Sequence, residues 1–246
     1  TSPVYGASST LIYAGTSNQT AATEFPSSSG PANLTINSSG GMTLPGSFAR
    51  TITGDLSLTS GTLADGGNIL TVGGNILGSG PHTGAGKIAM TGSPATISGA
   101  SLTNLEINSG SGVSLAGSPT VNGDLTQTLG IITTTGYTLT LAGNLLSSFA
   151  YFDGSGLLKM TGSGKTLATG YFSNLEVTGS ITLQGNITCL TGDLNQTGSI
   201  NTNGFDITLQ TGSKTGAGSI SGAGTLIMQG NPVTLTGPMF PNVTVD

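Results

Sequence analysis

Charge is what this sequence most lacks. Only 6% of its residues are Asp, Glu, Lys or Arg, against about 25% in an ordinary soluble domain, which argues against a conventional soluble enzyme. Trp is absent, and there is one His and one Cys. A single histidine excludes a site with two imidazole ligands, and a single cysteine excludes an intramolecular disulfide framework. Five Lys plus Arg in 246 residues cannot form a basic stripe, so no nucleic-acid partner is expected. No run approaches the roughly 18 consecutive apolar residues of a membrane-spanning helix, so no membrane span is expected either. No window sustains a 3.6-residue period, and helix is expected to be nearly absent. The opening Thr1-Ser2-Pro3-Val4-Tyr5 has neither Met nor a basic-then-apolar leader, as expected of a processed end or a fragment.

What is present is glycine and short apolar alternation. The chain has 42 Gly, yet its hydrophobic fraction is 35%, its mean hydropathy +0.18 and its net charge only −5. Disordered chains are poor in hydrophobic residues and rich in net charge, so this composition supports a core. Leu, Ile and Val occur in runs of three to six residues that alternate with Thr, Ser or Asn and end at Gly, Asn, Asp or Ser. Leu139-Thr140-Leu141 is typical, with both leucines on one side of a strand and the threonine on the other.

Three sets of markers recur at one long period. Gly-Asp-Leu triplets place Asp55, Asp124 and Asp193 at intervals of 69 residues. Asn33, Asn104, Asn174 and Asn242 each open an Asn-Leu or Asn-Val run, at intervals of 71, 70 and 68. Met90, Met160 and Met228 precede a Gly two residues on, with Tyr13-Ala14-Gly15 as the first member of that series. Many short strands under a long repeat, with Gly at corners, predict an all-β fold: a β-solenoid, or parallel β-helix, of about 70-residue repeats. Roughly three coils per repeat would give about ten coils, with the methionines filling the core. The expected organisation is one continuous solenoid over 1–246, with repeats 1–80, 81–150, 151–215 and a partial 216–246. A propeller is less consistent, since three and a half blades would not close.

Chemistry-bearing residues are few. On three coils per repeat, the repeated aspartates would stand about 14 Å apart along one axis, too far to share a metal ion. Their place after Gly predicts turn chemistry, the carboxylate accepting backbone N–H bonds. Glu106 and Glu176 alternate with inward residues, and Lys87 and Lys159 lie in neighbouring strands, so two exposed cross-strand ion pairs are expected. His82, in Pro81-His82-Thr83, reads as a loop residue, and Cys189 as an inert buried thiol. Phe149, Tyr151 and Phe152 depart from the repeat; core or corner packing is the first reading of this run, and a surface contact the alternative. No residue is assigned a catalytic, cofactor-binding or metal-binding role, and no cofactor is implied.

The runs Thr10-Leu11-Ile12-Tyr13-Ala14-Gly15, Pro31-Ala32-Asn33-Leu34-Thr35-Ile36-Asn37, Gly61-Thr62-Leu63 and Leu70-Thr71-Val72 resemble the Gly/Ser/Thr-rich repeats of very large exported surface proteins of Bacteroidetes and related phyla. More loosely they resemble adhesin passengers that fold as β-helices. The resemblance covers nearly the whole chain. It implies an extracellular or cell-surface location and a role in adhesion or filaments, and supplies no catalytic residue. The expected function is therefore non-enzymatic: the shaft or subunit of a self-associating surface fibre, with neighbouring copies of the same protein as partners. The alternative is an adhesin that recognises polysaccharide or another ordered surface. A polysaccharide-cleaving solenoid would need a charged cluster that so few ionisable residues do not suggest.

Overall fold

A computed structural model describes residues 2–46, 48–230, 234–237 and 240–245. They form strands and turns without a helix, and the strands stack in parallel as a β-solenoid. Two compact units divide the chain, Thr1–Gly123 and Asp124–Asp246.

Each unit winds through three walls per turn. In the first unit, one wall stacks Thr10–Gly15, Asn33–Ser38, Leu56–Ser60, Ile76–Gly78, Ala95–Ile97 and Val113–Leu115. A second begins with Gln19–Thr20, Met42–Thr43, Leu63–Ala64 and His82–Thr83 and passes by a bridge from Pro81 to Ser101 into Ser101–Leu102 and Thr120–Val121. The third stacks Arg50–Ile52, Ile69–Val72, Lys87–Met90 and Leu105–Asn108. The second unit has three walls of the same kind. One runs from Ile132–Thr133 through Ala150–Asp153 and Gly170–Phe172 to Asn242–Val245, another from Thr138–Leu141 to Lys214–Thr215, and the last from Leu125–Leu129 to Ser219–Ser221.

The strands are short because the chain must turn three corners per coil, and register partners lie only 16 to 23 residues apart. Period-two alternation then sends every second side chain inside. The inward column of one wall in the second unit reads Ile132, Phe152, Phe172, Cys189, Leu209 and Met228, all buried. Phe152 and Phe172 stack with centroids 5.5 Å apart. Met90 and Met160 are also buried. Fully burying a side chain of this size contributes about 1.5–3 kcal/mol, and a coil can do so only against the coils above and below it.

The structural period is therefore the coil, and the 70-residue sequence period does not fit a whole number of coils. From the strand that Asn33 opens, the strand following Asn104 is the eleventh onward. Eleven steps at three per turn make three turns and two-thirds, not the three expected. Within the first unit, Asn33 accordingly belongs to the first wall, whereas Asn104 precedes a strand of the third. Within the second, Asn174 and Asn242, and likewise Met160 and Met228, fall on different walls. The markers do not superimpose along one axis; each repeat moves them to another wall.

Local contacts explain why the markers recur. Asn and Gly-Asp-Leu are two halves of one contact made one coil apart. The Asn33 Oδ1 accepts the Asp55 amide at 2.9 Å, and the Asn174 Oδ1 accepts that of Asp193 at 3.1 Å. A Cβ on Gly54, Gly123 or Gly192 would collide with the side-chain oxygen of Asn33, Asn104 or Asn174. Glycine is required there by close approach, while at other corners such as Gly61 and Gly136 it supplies a positive φ.

The aspartates extend the contact into a ladder. Asp55 Oδ1 accepts the Asn75 amide at 2.8 Å, and Asn75 Oδ1 accepts the Thr96 amide at 2.9 Å. In the second unit, Asp124 takes the Asn144 amide at 2.8 Å, and Asn144 that of Thr166 at 3.0 Å. Asp193 takes that of Ser213 at 2.8 Å. The repeated aspartates thus accept backbone N–H bonds from the next coil rather than from their own turn.

Candidate functional site

Two sites stand out from this hydrogen-bonded frame. The first is internal. His82 lies in a strand rather than in a loop, with its side chain wholly buried in the first unit, because the second wall's pleat turns it inward. Its Nε2 is 2.9 Å from Asp65 Oδ2, also buried. The Thr103 amide donates to His82 Nδ1 at 3.3 Å, which leaves the proton on Nε2, facing Asp65. The Nε2 contact is close but lacks the alignment of a directed hydrogen bond. The other Asp65 oxygen accepts the amides of Gly67 at 2.6 Å and Gly86 at 3.0 Å. Burial lowers the His82 pKa, and the neighbouring carboxylate only partly opposes this. The pair is sealed in the core, so it can brace the interior but cannot meet a substrate.

Asp65 was not singled out by its sequence. Asp65-Gly66-Gly67 reads as an ordinary turn, and only a coil of about 20 residues puts it beside His82. The same holds for Arg50, which is buried with its guanidinium 5.5 Å from the Phe25 ring and its Nε donating to the Phe25 carbonyl at 2.9 Å. Nearby, Tyr13 donates to Glu24 at 2.6 Å, and burial with that bond raises the phenol's pKa.

The second site is open to solvent. In the second unit, a groove of about 360 Å³ is lined by Gly136, Tyr137, Ser155, Asn174, Glu176, Asp193 and Asn195, with Thr138, Gly156, Leu157 and Leu175. Its Glu176 and Asn195 belong to an outward column in strict register that runs Thr140, Lys159, Glu176, Asn195 and Thr215. Lys159 Nζ meets Glu176 at 2.9 Å, and in the first unit Lys87 meets Glu106 at 2.5 Å. Both expected ion pairs therefore form, from different repeat positions: Lys159 directly precedes Met160, while Lys87 stands three residues before Met90.

Of the three aromatic candidates for a surface contact, Phe149 and Tyr151 are on the exterior. Each packs edge-to-face against Tyr171, with centroids 4.9 and 5.7 Å apart. Phe152 is instead in the core, since adjacent residues of the strand Ala150–Asp153 face opposite sides. Cys189 is buried, and burial pushes its thiol up to about 12, with Asp193 adding to the rise; it is inert at neutral pH. Among the described residues no helix is long and apolar enough to cross a membrane. No family model, curated protein or solved structure matches this chain, so its function has to be argued from its own geometry.

Proposed function

We propose that the chain is a non-enzymatic structural solenoid of the cell surface or extracellular space, the shaft of a fibre that associates with copies of itself. The observation that carries this reading is the ladder of Asn, Asp and Thr side chains, moved from wall to wall by the eleven-strand offset. In each unit the ladder ties successive coils to one another with neutral, short-range bonds, which supports a structural rather than a catalytic use of the repeat.

Self-association is favoured by the small charge of the exterior, which limits repulsion between copies. It is also favoured by apolar exposure around Leu129, Ile131, Phe149 and Tyr171 in the second unit. Electron microscopy of the purified chain over a concentration series tests the proposal. Rods that join into bundles are expected, with bundling reduced by Phe149→Ser with Tyr171→Ser. Isolated compact particles at every concentration would overturn it. The groove around Tyr137 favours a second reading, an adhesin module that holds polysaccharide.

A further inference from the structure

We infer that the groove of the second unit is a binding site for a neutral oligosaccharide laid along the stacking direction. This inference rests on the adhesin reading and goes beyond it by assigning the residues and the ligand class.

Length is the first argument. The groove runs past four successive strands of one wall, from Thr138–Leu141 to Leu194–Gln196. Three coil spacings of about 4.8 Å make roughly 14 Å, longer than a single ion or sugar ring and suited to a short chain. Its volume falls in the range of about 300–1,000 Å³ usual for ligand sites.

Side-chain chemistry is the second. Tyr137 is 40% exposed and lines the groove, an aromatic surface of the kind that packs against the apolar side of a sugar. Its placement is not dictated by the fold. Seven residues before the ladder residue Asn144 stands Tyr137, whereas seven before Asn75 stands Asn68. Asn68 is 6% exposed and donates to the Pro45 and Asp65 carbonyls. The same repeat position thus turns inward in one unit and outward in the other.

Along the groove, the frame has already used part of each polar group. Asn174 donates to the Gly156 carbonyl at 2.9 Å and accepts from the Asp193 amide, so it forms wall. One oxygen of Asp193 accepts the Ser213 amide, and one of Glu176 meets Lys159. The second oxygen of each carboxylate remains to accept sugar hydroxyl protons, and the Asn195 amide, with its oxygen 3.5 Å from Thr215 Oγ1, remains to donate. Acceptors and a donor fixed on a rigid wall match the alternating donors and acceptors of a polyol.

Alternative occupants fit less well. Two carboxylates disfavour a polyanion. Extended peptides add to free strand edges, whereas the strands here have both neighbours in place. Among the described residues no cluster of three or more His, Cys, Asp or Glu could hold a metal ion.

The test is a screen of the whole chain against hexasaccharides of β-glucan, xylan, mannan and galactan, with polygalacturonate as the anionic probe, followed by calorimetry on any that bind. At least one neutral hexasaccharide is expected to bind. Tyr137→Ala should weaken it by on the order of tenfold, Asn195→Ala should weaken it too, and Tyr137→Phe should retain most affinity. Phe149→Ser, outside the groove, should leave it unchanged. Binding that survives both Tyr137→Ala and Asn195→Ala, or that is lost with Phe149→Ser, overturns this site and leaves the adhesin reading standing. Binding of polygalacturonate alone overturns the ligand class. Failure of every probe overturns both the site and the adhesin reading, while the shaft reading is decided separately by microscopy.

Discussion

The first unit buries ionisable side chains where the second buries mainly amides. Arg50, Asp65 and His82 lie inside the first; Gln127, Gln196 and Lys214 lie inside the second. The glutamines share one solution. Gln127 Nε2 donates to the carbonyls of Gly130 at 2.6 Å and Tyr151 at 3.2 Å, and Gln196 Nε2 to those of Gly198 at 3.1 Å and Ser219 at 2.6 Å. Each side chain closes its own turn and clips it to the next coil. Lys214 does the same through the Gly216 and Thr236 carbonyls at 3.1 and 3.2 Å. Both glutamines stand four residues after the Gly of a Gly-Asp-Leu triplet, where the first repeat has Leu58. The repeat therefore tolerates an apolar or an amide solution at one place, inside a common frame.

The contrast is broken most sharply at Asp65. Asp65→Ala leaves His82 without its carboxylate and the Gly67 and Gly86 amides without an acceptor. Each buried donor left without an acceptor costs about 1–3 kcal/mol, and three such groups make this the largest of the expected effects. Hydrogen exchange read by mass spectrometry should report lost protection across the first unit, with the second keeping its own. Equal loss in both would mean that the interiors are not independent.

Ladder substitutions sharpen the comparison from the opposite side, since here the units use the same chemistry. Asn75→Ala removes the acceptor for the Thr96 amide and hydroxyl, and Asn144→Ala removes that for Thr166. Each should cost about 1–3 kcal/mol for the groups left unpaired, and the two costs should agree. A large difference in denaturant midpoint shift would show that the ladders are not equivalent supports.

The winding itself was legible in the sequence because alternation and corner residues are local signals. Leu139-Thr140-Leu141 faces as its pattern requires, and Met90, Met160 and Met228 are inside. The phase of the repeat was not legible. Sixty-nine or seventy residues divide as readily into three long coils as into three and two-thirds short ones, and only the corner contacts set the coil length. That error in phase hid the consequences that depend on neighbours one coil away. The Asp65–His82 pair joins residues 17 apart in sequence, and the groove joins Tyr137 to Asn195 across four strands. The aromatic run divides for a smaller reason: adjacent residues of a strand face opposite sides, so Phe152 packs in the core while Phe149 and Tyr151 stay outside.

Acid should separate the units more gently than Asp65→Ala. Burial holds the folded-state pKa of His82 below its unfolded value near 6.5. As pH falls below about 6.5 the unfolded chain binds the proton first, so the first unit loses stability by at most about 1.4 kcal/mol per pH unit. The second unit has no histidine and should not share this loss. Denaturant midpoints at pH 7 and pH 5.5, resolved by exchange, should diverge in the first unit only. His82→Gln should remove that divergence, and a persistent one would place the acid-sensitive group elsewhere.

The smallest effect is expected where the units look most alike from outside. Lys87–Glu106 and Lys159–Glu176 are partly exposed pairs, each lysine about one-third exposed. Solvent and salt screen such pairs, and each contributes under about 1 kcal/mol. Lys87→Gln and Lys159→Gln should shift the unfolding midpoint barely and equally, and added salt should erase what difference there is. The two positions nevertheless separate in one respect, because Lys159 anchors a carboxylate of the groove and Lys87 does not. If the groove holds sugar, Lys159→Gln should lower affinity by freeing Glu176 to move, at unchanged stability, while Lys87→Gln leaves affinity alone. Equal effects of the two lysines on binding would mean that the Glu176 carboxylate is not a contact for the ligand.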